Sequence, residues 1–285
     1  MTTLAFAILA TAAAATAAAV PEGYLRVPGG LAHASCVHGH AHGATLDAAS
    51  LPLCAHPFLR SVGTEAAAAA ASAGGKNATH GAAWKAWAQF AAGGSSSVST
   101  LVSSWAVPEK PASVQGGVTL FWWNGVEPAD TSAVLQPVIQ WGSSAAGGGD
   151  YWAYSSWYVS SAHGSHFSPL VKIQSGDVVT GYNLVDKAGA WAITCAAPGR
   201  ANSTLNFKPV AGAWATAFHV LEAYGVTNNC DAYPKAGVVN FTNVVLAFDN
   251  KRPVSPIKWV PMTQTAGCNE HAEANADGSE VAILF

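Results

Sequence analysis

The sequence predicts an all-β fold, an antiparallel sandwich of two packed sheets behind a short, partly helical N-terminal extension. From about residue 98 onward, short apolar and aromatic runs alternate with period two between Gly, Asn and Pro turns. Eleven Trp, 10 Phe, 7 Tyr and 28 Gly supply the residues that pleated, half-buried surfaces and tight turns favour. Half of the 285 residues are apolar and only 10% are charged, so the chain can bury a large core and is not a charged disordered polymer.

Taken in order, Met1–Val20 reads as a secretory signal peptide, an Ala-rich apolar stretch with small residues before Val20 and Pro21. Residues 21–94 form a propeptide-like extension holding six of the ten histidines. Within it, Glu65–Ala73 and Ala83–Phe90 read as helices, and Gly93–Ser97 is linker chemistry. The triplet His38-Gly-His40-Ala-His42 puts imidazoles on one side of an extended chain, a pattern that binds Cu or Zn. No carboxylate or cysteine completes a ligand shell, so solvated sequence is the better reading and no metal or cofactor is expected. Residues 95–285 form the sandwich domain. Its strands are expected at Val118–Trp123, Ala133–Trp141, Tyr151–Val159, Val171–Ile173, Val178–Val185 and Ala190–Thr194. Thr204–Phe207, His219–Tyr224, Val238–Phe241, Val244–Phe248 and Val281–Leu284 follow, with Pro137 marking an edge or bulge.

Five cysteines in an oxidising compartment are expected to pair as Cys36–Cys54 and Cys230–Cys268, leaving Cys195 a buried free thiol. Sequons at Asn77, Asn202 and Asn240 are compatible with a secreted glycoprotein. Thirteen Lys and Arg against 16 Asp and Glu give a net charge of −3 with no basic run, which excludes nucleic acid as a partner. No stretch is apolar enough for a membrane span, so an extracellular, soluble product is expected.

Seven motifs fall in a recognisable series: Ser104-Trp-Ala-Val-Pro108, Trp122-Trp-Asn-Gly-Val-Glu127, Val134-Leu-Gln136, Ser156-Trp-Tyr158, Ser175-Gly-Asp-Val178, Ala217-Phe-His-Val-Leu-Glu222 and Phe241-Thr-Asn243. In order and spacing the series resembles the glutamic peptidases (eqolisins). That resemblance implies a concanavalin A-like sandwich in which a glutamine and a glutamate face each other across a groove. The glutamate would activate water and the glutamine would hold the oxyanion. Gln136 falls on the glutamine position, but the glutamate position falls on Phe218, which cannot take or give a proton. The acid of the Trp-Tyr-Glu strand falls on Val159, and the aspartate after the glutamine falls near Gln140. Glu127 keeps the acid of the Trp-x-Gly-Ile-Asp element. Glu222 lies four residues beyond Phe218, on the same sheet face but about 13 Å along at ~3.3 Å per residue. His219 should face the other side.

The candidate catalytic residues are therefore Gln136, Glu222 and Glu127, with Asp150 a further carboxylate that separate strands could pair with one of them. No Gly-x-Ser-x-Gly, His-Glu-x-x-His or Gly-x-Gly-x-x-Gly motif competes. Trp123, Trp141, Trp157 and Tyr158 are the candidate substrate-binding aromatics, although alternation splits their neighbourhood between the two faces. The expected function is a secreted, divergent glutamic-peptidase-like hydrolase acting on an extended protein or polysaccharide polymer in a concave groove. The alternatives are a noncatalytic, lectin-like carbohydrate-binding sandwich and a polysaccharide-cleaving enzyme of the same fold.

Overall fold

The computed structural model describes residues 20–60, 83–92, 96–113, 117–210, 212–226, 229–264 and 267–285. Period-two alternation becomes strand throughout. In chain order the strands are β1 (Tyr24–Val27), β2 (Gly30–His33), β3 (Val37–Gly39), β4 (Ala44–Asp47), β5 (Leu59–Arg60), β6 (Trp84–Ala91) and β7 (Val98–Ala106). They continue as β8 (Thr119–Pro128), β9 (Ala133–Ser144), β10 (Gly147–Ser160), β11 (Gly164–Phe167), β12 (Val171–Lys172), β13 (Val178–Val185) and β14 (Trp191–Ala196). The last are β15 (Ser203–Lys208), β16 (Trp214–Tyr224), β17 (Val238–Phe248), β18 (Val260–Thr263), β19 (His271–Ala274) and β20 (Val281–Leu284).

Two sheets make the sandwich. A nine-stranded sheet runs β18-β6-β16-β8-β9-β10-β11-β3, with β12 also on β10, and an eight-stranded sheet runs β19-β20-β17-β7-β13-β14-β15-β4. Between them, Trp122, Leu135, Ile139 and Trp152 meet Leu101, Trp105, Ile193 and Phe241 in one buried core. Each such side chain contributes roughly 1.5–3 kcal/mol on leaving water, which is why strands rather than loops carry the aromatics. Polar ties cross the layer as well: the Asn124 amide donates to Ser103 Oγ at 2.8 Å and to the Gly181 carbonyl at 3.1 Å. A buried amide left unbonded would cost more than the pair gains, so these contacts also fix the sheets' relative register.

The N-terminal residues join this frame as strands. β3 pairs in parallel with β11 at one end of the larger sheet, and β4 pairs in parallel with β15 at one end of the smaller. β1, β2 and β5 form a separate three-stranded sheet. Among the described residues the helical content is limited to 3-10 turns at Ala34–Cys36 and Cys230–Ala232, so the helical part of the extension is not found.

The expected helix at Ala83–Phe90 is strand β6, between β16 and β18. Its Trp84 and Trp87 stand three residues apart yet share one face, the spacing that mimics a helical period. A register shift explains this: Leu221 pairs with Ala86 but Glu222 pairs with Trp84, so Lys85 is an extra residue that inverts the alternation. Ala86 and Ala88, fully buried, are small because they pack against the core, not because they favour helix. The other expected helix, Glu65–Ala73, lies outside the described residues, as do 1–19 of the signal-peptide stretch. The Gly93–Ser97 stretch, of which 93–95 are likewise outside, separates β6 of the larger sheet from β7 of the smaller.

Both disulfides form as expected, Cys36–Cys54 and Cys230–Cys268, and Cys195 is free and buried. His38 and His40 are not simply solvated: His40 Nε2 lies 2.9 Å from His166 Nδ1 on β11, and the His38 and His166 rings are 5.0 Å apart. No described helix is long and apolar enough to cross a membrane.

Candidate functional site

Alternation hands every second residue of β8, β9, β10 and β16 to the outer face of the larger sheet. Phe121, Trp123, Val134, Val138, Trp157, Val159, Phe218 and Val220 form an apolar floor there, distinct from the inter-sheet core. Gln136, between Val134 and Val138, and Glu222, two residues past Val220, belong to the same face. The β1–β2 hairpin lies over this floor, adding Val27 and Ala32 to the cluster. Both are fully buried.

The hairpin turns at Pro28–Gly29, since Val27 pairs with Gly30. Pro is pre-set for the first corner of such a turn, and the second corner needs the positive φ that glycine tolerates. Gly29 has φ +95°. A Cβ on Gly30 would stand 2.4 Å from the Leu59 carbonyl oxygen, so β5 closes the hairpin from behind.

Two candidate residues meet at this turn. The Gln136 amide donates to the Pro28 carbonyl oxygen at 3.1 Å. The Gly29 N–H donates to both Glu222 carboxyl oxygens, at 2.7 and 3.0 Å. That oxygen and that nitrogen belong to one planar peptide group. Gln136 and Glu222, both fully buried, therefore bracket a single peptide bond. The Tyr224 hydroxyl stands 2.5 Å from Glu222 Oε1 and also reaches the Val27 and Gly30 carbonyls at 3.1 and 2.9 Å. Burial pushes the Glu222 carboxyl up from its ordinary 4.5 to about 7, while the Tyr224 hydroxyl and Gly29 N–H pull it back down. A carboxyl poised there can exchange a proton near neutrality.

Glu127 lies beside the same turn. It lines a small cavity with Gly29, Phe58, Arg60, Trp84 and Val159. Burial raises it to about 8, with the Arg60 charge opposing. No hydrogen-bond partner reaches its Oε2.

The aromatics divide by parity. Trp123 and Trp157 lie on the hairpin-covered face. Trp141 and Tyr158 lie on the opposite face, in the inter-sheet core, where Tyr158 stacks on Phe207 at 4.0 Å and Trp141 packs edge-on against Trp152. Neither reaches the face that carries Gln136 and Glu222. The period along β10 already required this of Tyr158, one residue from Trp157. Asp150 is exposed, on the stretch of β10 paired with the far end of β9. His219 faces the core as expected, against Phe241 and Trp259, and burial lowers it to about 3. Phe218 packs edge-on against Trp84 at 5.4 Å and pairs across to Gly125, leaving the resemblance's glutamate position apolar. Tyr224 and the Pro28–Gly29 tip were missed from sequence. The Val-Pro-Gly-Gly-Leu run at residues 27–31 is a hairpin signal, and Tyr224 shares parity with Glu222.

Solved structures of matching shape share this architecture. Scytalido-glutamic peptidase, crystallised with a peptide-based transition-state analog, matches at TM-score 0.52 and 17% identity, covering 70% of this chain and 98% of that one. The chain has a glutamic-peptidase-like fold. SCP-B, a member of the eqolisin family in complex with the tripeptide Ala-Ile-His, matches at TM-score 0.48 and 16% identity, over 71% of this chain and 98% of its own. Aspergilloglutamic peptidase from Aspergillus niger matches at 0.41 and 17%, over 59% of this chain and 98% of its own. No protein-family model and no curated protein sequence matches the chain. In the larger sheet Gln136 on β9 and Glu222 on β16 are separated by β8, and Phe218 stands where the resemblance implies the glutamate.

Proposed function

We propose that this protein is a secreted, glutamic-peptidase-like hydrolase that cleaves protein chains laid across the Gln136–Glu222 face. The observation that carries the reading is the bracketed Pro28–Gly29 peptide: an amide donor on its oxygen and a carboxyl group on its nitrogen. A substrate peptide in the same place would have its carbonyl polarised by Gln136, an uncharged donor effective at any pH. Glu222 takes a proton from the attacking water, whose oxygen bonds to the carbonyl carbon. It then delivers that proton to the amine nitrogen as the C–N bond breaks. Apolar side chains of Trp123 and Trp157 would flank the bound chain. The two disulfides support an oxidising, extracellular location.

The test is hydrolysis of an unfolded protein from about pH 2 to about pH 8, the range over which carboxyl groups titrate. Gln136→Ala should cost on the order of 100- to 1000-fold in turnover. Glu222→Gln should abolish it. Glu127→Gln, beside the turn but touching neither end of the peptide, should retain a substantial share. No cleavage at any pH by protein freed of its hairpin would end the peptidase reading.

A further inference from the structure

Within residues 20–60 the β1–β2 hairpin contacts the Gln136–Glu222 face itself. The peptide at the tip is held at both ends, the Pro28 carbonyl by Gln136 and the Gly29 N–H by Glu222, with the Tyr224 hydroxyl within hydrogen-bond distance of the flanking Val27 and Gly30 carbonyls. Arg26 adds a hydrogen bond to Thr119 Oγ1 at 3.1 Å and another to the Gly117 carbonyl, and its own carbonyl accepts from Ala145 N–H at 2.8 Å. Val27 seals the apolar floor. A mere edge decoration would not engage the Gln136 amide N–H and the Glu222 carboxyl at once.

We propose that the β1–β2 hairpin is a built-in inhibitor, a pseudosubstrate whose Pro28–Gly29 tip occupies the peptide site of the intact chain. The proposal rests on Gln136 and Glu222 being the reactive pair. Two features make the tip an inhibitor rather than a substrate. First, it presents a closed turn with Gly29 at φ +95°, not an extended strand. Second, Glu222 is fully buried beneath the seated tip, so no attacking water reaches it from solvent while the tip is in place. The plug is held close by β3 on β11, β4 on β15 and the Cys36–Cys54 disulfide. Such tethering makes rebinding intramolecular and keeps the site filled even if the tip alone binds weakly. Release therefore requires cutting or undocking this segment, and the occupant that replaces it is an extended peptide.

The full chain tests this with Gly29→Val, which cannot hold the positive φ, and Val27→Asp, which places a charge on the apolar floor. Acrylamide quenching of tryptophan fluorescence should increase in both as Trp123 and Trp157 open. Hydrolysis of unfolded protein should rise roughly tenfold or more, the scale set by forcing a non-glycine residue into that backbone region. A synthetic cyclic peptide carrying Leu-Arg-Val-Pro-Gly-Gly-Leu should reverse both effects. If quenching rises and the cyclic peptide reverses it, but nothing is hydrolysed, the plug stands and the peptidase reading fails. If wild type and variants hydrolyse equally with unchanged quenching, the plug is overturned and the peptidase reading stands. Should a variant misfold, exposing the Cys195 thiol, hydrogen exchange of the wild-type Gly29 N–H decides: protection comparable to strand amides supports the plug, and exchange at the unprotected rate overturns it.

Discussion

Glu222 shows how a single residue acquires chemistry from its surroundings. In sequence it is one carboxylate on a strand, four residues from an expected glutamate. In the structure, full burial under the hairpin turns it into a group with a pKa near 7. Because the docked value lies above the ordinary 4.5, Glu222 favours docking fully below about pH 4.5, and that contribution is lost as pH rises through about 7. The groups facing it are Tyr224 and, over the Tyr224 ring at 5.7 Å, Arg26. Acrylamide quenching should therefore rise from pH 4.5 to 7 more steeply in wild type than in Glu222→Gln, where nothing titrates at this position. Equal slopes would detach the hairpin from Glu222. Gln136 was legible from the motif series because its neighbours carry the resemblance. Its hydrogen bond was not, because Pro28 lies 108 residues away in the chain.

At the scale of the element, the strands from β8 to β17 other than β11 follow from alternation, and the failure at β6 has a local cause. One inserted residue changes a period of two into an apparent period of three, and Ala-rich composition completes the disguise. The histidines of β3 were illegible for another reason: a parallel pairing with β11 depends on a partner more than 120 residues away. That pairing carries its own titration. Burial lowers His166 to about 4, with the charges of His38, His40 and His163 adding and the His163 carbonyl opposing; Tyr158 stacks nearby at 5.7 Å. His40 is lowered by burial too. Since these values lie below the ordinary 6.5, their contribution to docking is intact above about pH 6.5 and lost as pH falls through about 4, the reverse of Glu222. Hydrogen exchange of residues 37–47, where the His40 N–H donates to the Phe167 carbonyl at 2.8 Å, should quicken over that interval. His166→Phe should remove the acid-side quickening, judged against wild type at each pH. An unchanged profile would mean that the imidazoles do not hold β3.

Across the whole molecule, two layers of different strength share one chain. The sandwich core is continuous between both sheets and holds Cys195 at zero exposure, its thiol raised by burial and its Sγ 3.5 Å from the Ser155 carbonyl. The hairpin sheet has three short strands, of which β5 is two residues long, and rests on one face only. Local opening costs less where fewer apolar contacts and shorter ladders must break. Denaturant should therefore release the hairpin before the sandwich, in two separable steps. Tryptophan quenching, which senses Trp123 and Trp157 under the hairpin, should move at lower denaturant than reaction of Cys195 with a thiol reagent, which requires the core to open. The composition foretold a large core, and segment membership pointed to Cys36–Cys54, while Cys195 shares the second segment with Cys230 and Cys268, whose pairing the structure bears out. The division of labour between the layers was not legible, since it arises from the hairpin's placement on the sheet's outer face. Coincident transitions by the two probes would make hairpin and sandwich one cooperative unit, and would require that any activating cut destabilise the whole fold.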